Sequence, residues 1–284
     1  MAKADEIIRQ LLLRAREEDV KALILMGSAA RVDHGADEYS DVDIIAAVTG
    51  PERWLNGEAK GEDDIVISFT EPTFGGGKER RMLLKRGLDV DLMVFTPSQL
   101  TTLTLDGTAA KVLGRGYRVL YDAMGITPML NENMAKPQNF GKPMDAQVYE
   151  QLTSDFYFHV VWAEKKLRRG ELWTAMMCID GYLKRLLLKM VEAQAQLEDP
   201  AVDVWYEGRH LRDWAPMDVM GSLKDFFARF DAEDLAQALL YSTELFTTLA
   251  HEVACKMGCS INKMAEAYVY KTLLPRLKRQ AKGD

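Results

Sequence analysis

Cysteine is scarce. Three thiols in 284 residues, Cys178, Cys255 and Cys259, exclude a disulfide framework and would leave one unpaired. Cys255 and Cys259 stand one helical turn apart, yet no histidine or cysteine pair accompanies them at zinc spacing. The four histidines, His34, His159, His210 and His251, show no ligand spacing and read as structural or surface residues. No uninterrupted apolar run reaches the length of a membrane span, and Met1 to Glu6 lacks the apolar stretch of a secretory signal. Basic charge is not in surplus either. The formal net charge is −7, which argues against binding nucleic acid through a basic surface. No internal repeat is visible. The expectation is a cytoplasmic protein, monomer or homodimer, with reduced thiols and neither membrane nor nucleic acid as partner.

What is present is enough apolar material for a sizeable core: 48% of residues are hydrophobic, and the length suits one large domain or two ordinary ones. Residues 4–18 carry Ile7, Ile8, Leu11, Leu12 and Leu13 between charges, the pattern of an amphipathic helix that covers a sheet face. Apolar runs near 22–27, 42–48, 64–70 and 90–96 read as strands, with a last strand at 117–121. Glu52 to Asn56 and Ser98 to Thr104 read as short helices. Phe74-Gly75-Gly76-Gly77-Lys78 lacks the spacing and the hydroxyl residue of a phosphate-binding P-loop, so it reads as a hinge or exposed loop. Gly125 to Met144, with Pro128, Pro137 and Pro143, reads as a linker. Beyond it apolar residues recur at helical spacing, as in Phe156, Val160, Ala163 and Leu167, or Leu235, Leu239, Leu249 and Val253. The prediction is an α+β chain. Residues 1–135 would hold a mixed β-sheet flanked by helices, and 136–284 a helical bundle. Charge is uneven within the second half: Glu198 to Glu244 holds eleven acids against four bases. That stretch would attract a cationic small molecule, or its acids simply solvate helix faces.

The chemistry concentrates in the first half. Gly27-Ser28 makes a tight turn after the run Ala22 to Met26. Asp41 and Asp43 then sit at i and i+2 before a second strand, where alternation sends both carboxylates to one side. Asp91 lies inside a third apolar run, Val90 to Phe95, where a charge is costly unless compensated. Three acids on adjacent strands form a hard-oxygen site of the Mg²⁺ kind, with room for substrate phosphates. Asp89 shares strand parity with Asp91 and competes for the third role, but Asp91 is the more central. Asp33, Asp37 and Glu38 read as solvated loop acids. Asp180 is an acid in an otherwise apolar helix; it faces a cleft or pairs with Lys184 one turn on. Trp162 and Trp173 read as core residues or as walls of a binding site.

Gly27-Ser28-Ala29-Ala30-Arg31, Ser40-Asp41-Val42-Asp43 and Asp91 together resemble the nucleotidyltransferase signature of the DNA polymerase β superfamily. Within it, nearly the whole chain resembles the aminoglycoside (streptomycin) 6-adenylyltransferases. Leu88 to Val94 with Pro97-Ser98-Gln99-Leu100, then Tyr117 to Asp122, Ala163 to Trp173, Leu187 to Glu192, Gly208 to Leu211 and Ala250 to Ala254 carry the likeness. The chain departs from the family pattern at Met26, Leu186 and Ala193.

The resemblance implies a catalytic domain over 1–135 and a substrate-binding domain over 136–284. It implies transfer of AMP from Mg²⁺-ATP to a hydroxyl of an aminoglycoside such as streptomycin, with release of pyrophosphate, and so antibiotic resistance. Asp41 and Asp43 would hold a pair of magnesium ions, and Asp91 would complete the metal site or accept the hydroxyl proton. Gly27, Ser28 and Arg31 would contact the phosphates at a helix N-terminus, joined by Lys165. Asp180 and Trp173 would bind the acceptor. A nucleotidyltransferase for another small molecule or a protein, and an inactive nucleotide-binding homologue, are the other readings.

Overall fold

Alternation of side chains along three apolar strands builds the first half of the molecule. The fold is that of a computed structural model describing residues 2–17, 20–31, 35–56, 64–85, 87–105, 109, 113–134, 144–204 and 207–280. The chain divides into two compact units, Met1–Gln138 and Asn139–Asp284. The boundary expected after residue 135 lies outside the described residues. Among the described residues no helix is long and apolar enough to cross a membrane.

In the first unit, helix α1 (Ala2–Glu17) precedes β1 (Val20–Met26) and β2 (Val42–Val48). Helix α2 (Pro51–Leu55), β3 (Ile65–Pro72), β4 (Lys78–Leu84), β5 (Asp89–Phe95), α3 (Pro97–Leu105), β6 (Arg118–Asp122) and α4 (Thr127–Met134) follow. The strands form one mixed sheet in the order β3-β4-β5-β2-β1-β6, in which β2 and β5 are parallel and every other pair antiparallel. Central strands covered on both faces must be apolar throughout. Accordingly Leu23, Leu25, Ile44, Ala46, Leu92 and Val94 pack on one face with Ile8, Ala15 and Trp54. Ala22, Ile24, Ile45, Ala47, Met93 and Phe95 pack on the other with Leu100, Leu103 and Ile126.

One reading of the sequence is sharpened and one corrected. The glycine run is an exposed loop, with Gly75 and Gly76 in solvent, and not a hinge: it is the turn of the β3–β4 hairpin, closed by Thr73 N–H to Gly77 O (3.1 Å) and Gly77 N–H to Phe74 O (3.3 Å). A Cβ on Gly75 would lie 2.2 Å from Leu103, and one on Gly77 2.4 Å from the Phe95 ring, so close approach demands glycine there. The linker reading fails over 127–134, which is α4. Asp122 nucleates that helix by accepting from the N–H groups of Gly125, Ile126 and Thr127 and from Thr127 Oγ1 (2.6–3.0 Å). Burial works against the Asp122 charge, yet these bonds hold its carboxyl below the usual range. Residues 135–143 of the expected linker lie outside the described residues.

The second unit is helical. Helix α5 (Ala146–Arg168) starts at Asp145, whose side chain accepts from Val148 N–H. Helix α6 (Leu172–Met176), a π-helical segment (Met177–Leu183) and α7 (Lys184–Glu198) run on without a break in helical backbone. Two short helices, Leu211–Trp214 and Met217–Ser222, precede α8 (Ala232–Met257), which Asp231 caps and Gly258 ends in the left-handed region. Helices α9 (Lys263–Tyr268) and α10 (Leu274–Gln280) complete the unit. Its core is a long apolar seam between α5, α7 and α8, in which the rings of Phe156 and Phe246 stack at 3.6 Å. Tyr149 Oη donates to Ala250 O (2.9 Å), so the buried phenol is not left unpaired.

Burial pushes the Glu192 carboxyl on α7 up to about 7, against the pull of Lys189. The folded chain therefore holds this proton more tightly than the unfolded one. Its contribution to stability is full below about 4.5 and is lost as pH rises towards about 7. Glu192→Gln is expected to raise Tm at pH 8 by a few degrees, about 2–4 °C for each kcal/mol recovered, and to do little at pH 5. Differential scanning fluorimetry at both pH values checks this; an equal gain at both would contradict it.

Candidate active site

Strand register, rather than loop geometry, brings the acids together. Met26 at the end of β1 faces Asp43 across the antiparallel pair, and Asp43 of β2 lies beside Asp91 of parallel β5. Asp41, just before β2, joins them. One carboxylate oxygen from each of Asp41, Asp43 and Asp91 lies within 4.8 Å of the others. Like charges at that separation repel, and burial pushes the Asp91 carboxyl up, with Arg81 pulling it down and Asp41 adding to the rise.

Gly27 is what lets β1 end so close to this group. Its φ of 68° is left-handed, and a Cβ there would lie 1.9 Å from Asp43 Oδ2. The chain then makes one 3₁₀ turn, Ser28–Ala30, with Ala30 N–H bonded to Gly27 O at 3.2 Å. The helix N-terminus expected here is only this turn, so backbone N–H groups and the serine, not a helix dipole, are what it offers an anion. Ser28 Oγ is buried without a hydrogen-bond partner. A buried orphan hydroxyl beside three converging hard-oxygen donors fits a divalent cation carrying phosphate oxygens, and Mg²⁺ suits that donor set. Arg31 closes the turn, half-buried.

Sequence reasoning missed β4, and with it two charged neighbours of Asp91. Arg81 stands directly across from Asp91 in the antiparallel register. Its Nε lies 2.8 Å from Glu71 Oε1, 3.3 Å from Glu79 Oε1 and 3.9 Å from Asp91 Oδ2. Glu79 is buried, burial pushes its carboxyl up, and it shares a hydrogen bond with Asp91. The run Lys78-Glu79-Arg80-Arg81 hid the strand, although Met82-Leu83-Leu84 after a glycine turn was a signal for a hairpin partner.

Lys165, Asp180 and Trp173 belong to the second unit. Lys165 is exposed on α5. Asp180 sits in the π-helical segment; its Oδ1 lies 3.6 Å from Lys184 Nζ and its Oδ2 accepts from Ala228 N–H at 3.2 Å. Burial pushes Lys184 down to about 8 despite Asp180, and its ammonium donates to Ser242 Oγ. Trp173 is no core residue: it is 70% exposed and edge-on to Phe230, with ring centroids 6.5 Å apart. Asp180 and Trp173 therefore meet the same loop, through Ala228 and Phe230. Trp162 is half-buried under Lys166 Nζ at 5.0 Å. Leu186 and Ala193 are core residues.

Three of the histidines and Asp37 have local partners. His159 pairs with Asp155 at 2.7 Å, His251 with Glu266 at 2.6 Å and His210 with Asp213 at 3.7 Å. Asp37 closes an exposed turn with Tyr39 N–H and Ser40. Asp33 and His34 lie outside the described residues.

The sequence model of a protein family described as streptomycin adenylyltransferase matches residues 1–273. No curated protein matches the chain. Among solved structures, an aminoglycoside 6-adenyltransferase from Bacillus subtilis is similar at 12% identity and a TM-score of 0.45, over 98% of this chain and 99% of that one. A nucleotidyltransferase-like protein from Exiguobacterium sibiricum 255-15 is similar at 13% identity and a TM-score of 0.35, over 87% of this chain and 73% of that one.

Gly27→Ala tests the turn. The added methyl must displace Asp43, and the left-handed backbone costs about 1–3 kcal/mol in a non-glycine residue. Tm is expected to fall and Mn²⁺ affinity, read by electron paramagnetic resonance, to drop at least about tenfold, or some 1.4 kcal/mol. Unchanged Mn²⁺ affinity would separate the turn from the carboxylates.

Proposed function

The chain belongs to the streptomycin adenylyltransferase family, and from that premise we propose that it transfers AMP from Mg²⁺-ATP to a hydroxyl of an aminoglycoside, releasing pyrophosphate. Streptomycin and its 6-hydroxyl are the leading acceptor, and aminoglycoside resistance in the cytoplasm the leading role. The observation that carries this reading is the approach of three carboxylates to within 4.8 Å beside a glycine-serine turn with an orphan hydroxyl.

Asp41 and Asp43 would hold the cation. Bound there, Mg²⁺ would neutralise charge on the phosphates as the leaving group departs. Ser28 donates its hydroxyl to a phosphate oxygen, Gly27 allows the backbone to approach, and Arg31 and Lys165 add charge-assisted contacts. The acceptor oxygen bonds to the α-phosphorus as the bond from that phosphorus to the bridging oxygen breaks. Pyrophosphate takes the bond electrons, and the hydroxyl proton passes to Asp91. Burial, by pushing the Asp91 carboxyl up, makes it a better proton acceptor than an ordinary aspartate. Asp180 and Trp173 bind the cationic sugar, carboxylate against charge and indole against ring. The first unit is the catalytic domain on this reading, and the second the helical substrate-binding domain.

Pyrophosphate release from ATP, measured with and without streptomycin, tests the reaction. Release is expected to require the acceptor. Asp43→Asn should lower it by about two to three orders of magnitude, the scale of losing one charge-stabilising group from a preorganised site. Release that is independent of acceptor, or that survives the substitution, would remove the proposal.

A further inference from the structure

Beside the three acids the first unit has a cleft of about 340 Å³ over β3, β4 and β5. Its floor follows from register. One row across the sheet is Asp91, Arg81 and Phe69; the next is Asp89, Leu83 and Ile67. All six line the cleft, together with Asp41. The rows are two residues apart, about 6–7 Å, and each spans about 10 Å over two strand spacings, the footprint of one substituted sugar-like ring. Ile67 and Phe69 are 56% and 52% exposed, so the cleft has an open apolar wall facing an acidic one. Large side chains left half in water on a cleft wall are better covered by a ring than by solvent.

The charges of the cleft do not balance. Asp41 and Asp91 face the cation site, and Arg81 is held by Glu71 and Glu79. Asp89 is exposed and pairs with no cation among the described residues; its charge acts on Asp91 by repulsion. An ionised carboxylate beside an apolar wall, next to the residue that receives the hydroxyl proton, asks for one positive charge from the acceptor.

We propose that this cleft is an acceptor subsite of the catalytic unit. Asp89 takes a guanidinium group on the ring carbon next to the hydroxyl under attack, and Phe69 and Ile67 cover the ring face. The proposal rests on the aminoglycoside reading and deepens it. The spacing of 6–7 Å or so between the rows favours a guanidinium over an amine. With the hydroxyl at Asp91, an amine on the neighbouring carbon falls short of Asp89, and the longer planar fork reaches it with two N–H groups.

The test is calorimetric titration of streptomycin, which carries guanidinium groups, into the full chain with Mg²⁺ and a non-hydrolysable ATP analogue. Kanamycin, which carries only amines, is the comparison. Steady-state adenylylation by the same preparations accompanies it. Asp89→Asn is expected to weaken streptomycin binding and raise its KM about 10- to 100-fold, the loss of one charged hydrogen-bond partner. KM for ATP and affinity for Mn²⁺ should stay within about twofold, far inside the tenfold that marks 1.4 kcal/mol. Asp89→Glu should recover part of the loss, and kanamycin should respond weakly to either change. Glu132→Gln, which removes the same charge from an exposed site on α4, should leave streptomycin binding alone.

Streptomycin binding that ignores Asp89→Asn overturns the subsite. So does an equal loss of Mn²⁺ affinity, which would make Asp89 a metal residue. So does Phe69→Ala weakening ATP and not streptomycin, which would make the wall a nucleobase contact. A wild type that neither binds nor adenylylates streptomycin fails before any variant is compared. That result removes streptomycin as the acceptor, and the subsite with it; failure with kanamycin as well removes the aminoglycoside reading.

Discussion

Mutual repulsion of Asp41, Asp43 and Asp91 is the constraint around which the first unit is organised. Nothing in a polypeptide gains by holding three carboxylate oxygens within 4.8 Å, so the surrounding structure must enforce it. It does so with backbone hydrogen bonds: two parallel strands fix Asp43 beside Asp91, and an antiparallel one brings the glycine turn against Asp43. The strands are anchored in turn by two apolar layers, one on each sheet face. Burial of Leu23, Ile24, Leu25, Ile44 and Ile45, each contributing about 1.5–3 kcal/mol, offsets a local arrangement that is unfavourable on its own. The guanidinium of Arg81 relieves part of the same repulsion from the side of β4.

Much of this was legible in the residues because the strands that hold the acids are the most apolar in the chain. A carboxylate inside Val90 to Phe95 cannot be accidental filler, since its burial is costly. Strand β4 was illegible for the opposite reason. Four charged residues in a row conceal a strand whose arginines are paired by its surroundings, Arg80 with Ser68 of β3 and Trp54 O of α2, and Arg81 with Glu71 of β3. Helix α4 hid behind Pro128 and two asparagines, because a single residue upstream, Asp122, supplies the cap. Composition averages over such a stretch, whereas capping depends on one side chain.

In the second unit the polar groups inside the bundle are as informative as its apolar seam. The π-helical segment adds a residue to one turn and so re-aims the helix between Met177 and Leu183, where Asp180 is held against Lys184 and Ala228 N–H. Periodicity does not reveal that insertion here, since the buried residues across it, Ile179, Leu183 and Leu187, still recur every four positions. Trp173 and Phe230 are both exposed and stand edge-on to one another, Phe230 two residues after the Ala228 N–H that holds Asp180.

The hairpin turn between Thr73 and Lys78 carries a further consequence, for how the molecule tolerates lengthening. Its glycines are wedged against Leu103 and Phe95, so the loop has no slack to absorb an added residue. An insertion there would slide β4 by one step and turn every one of its side chains to the opposite face. Arg81 would be carried away from the three clustered acids, and the buried Arg80 brought out in its place. Length variation along this chain should therefore collect elsewhere, and the hairpin behaves as a gauge that keeps the charge beside Asp91 in step.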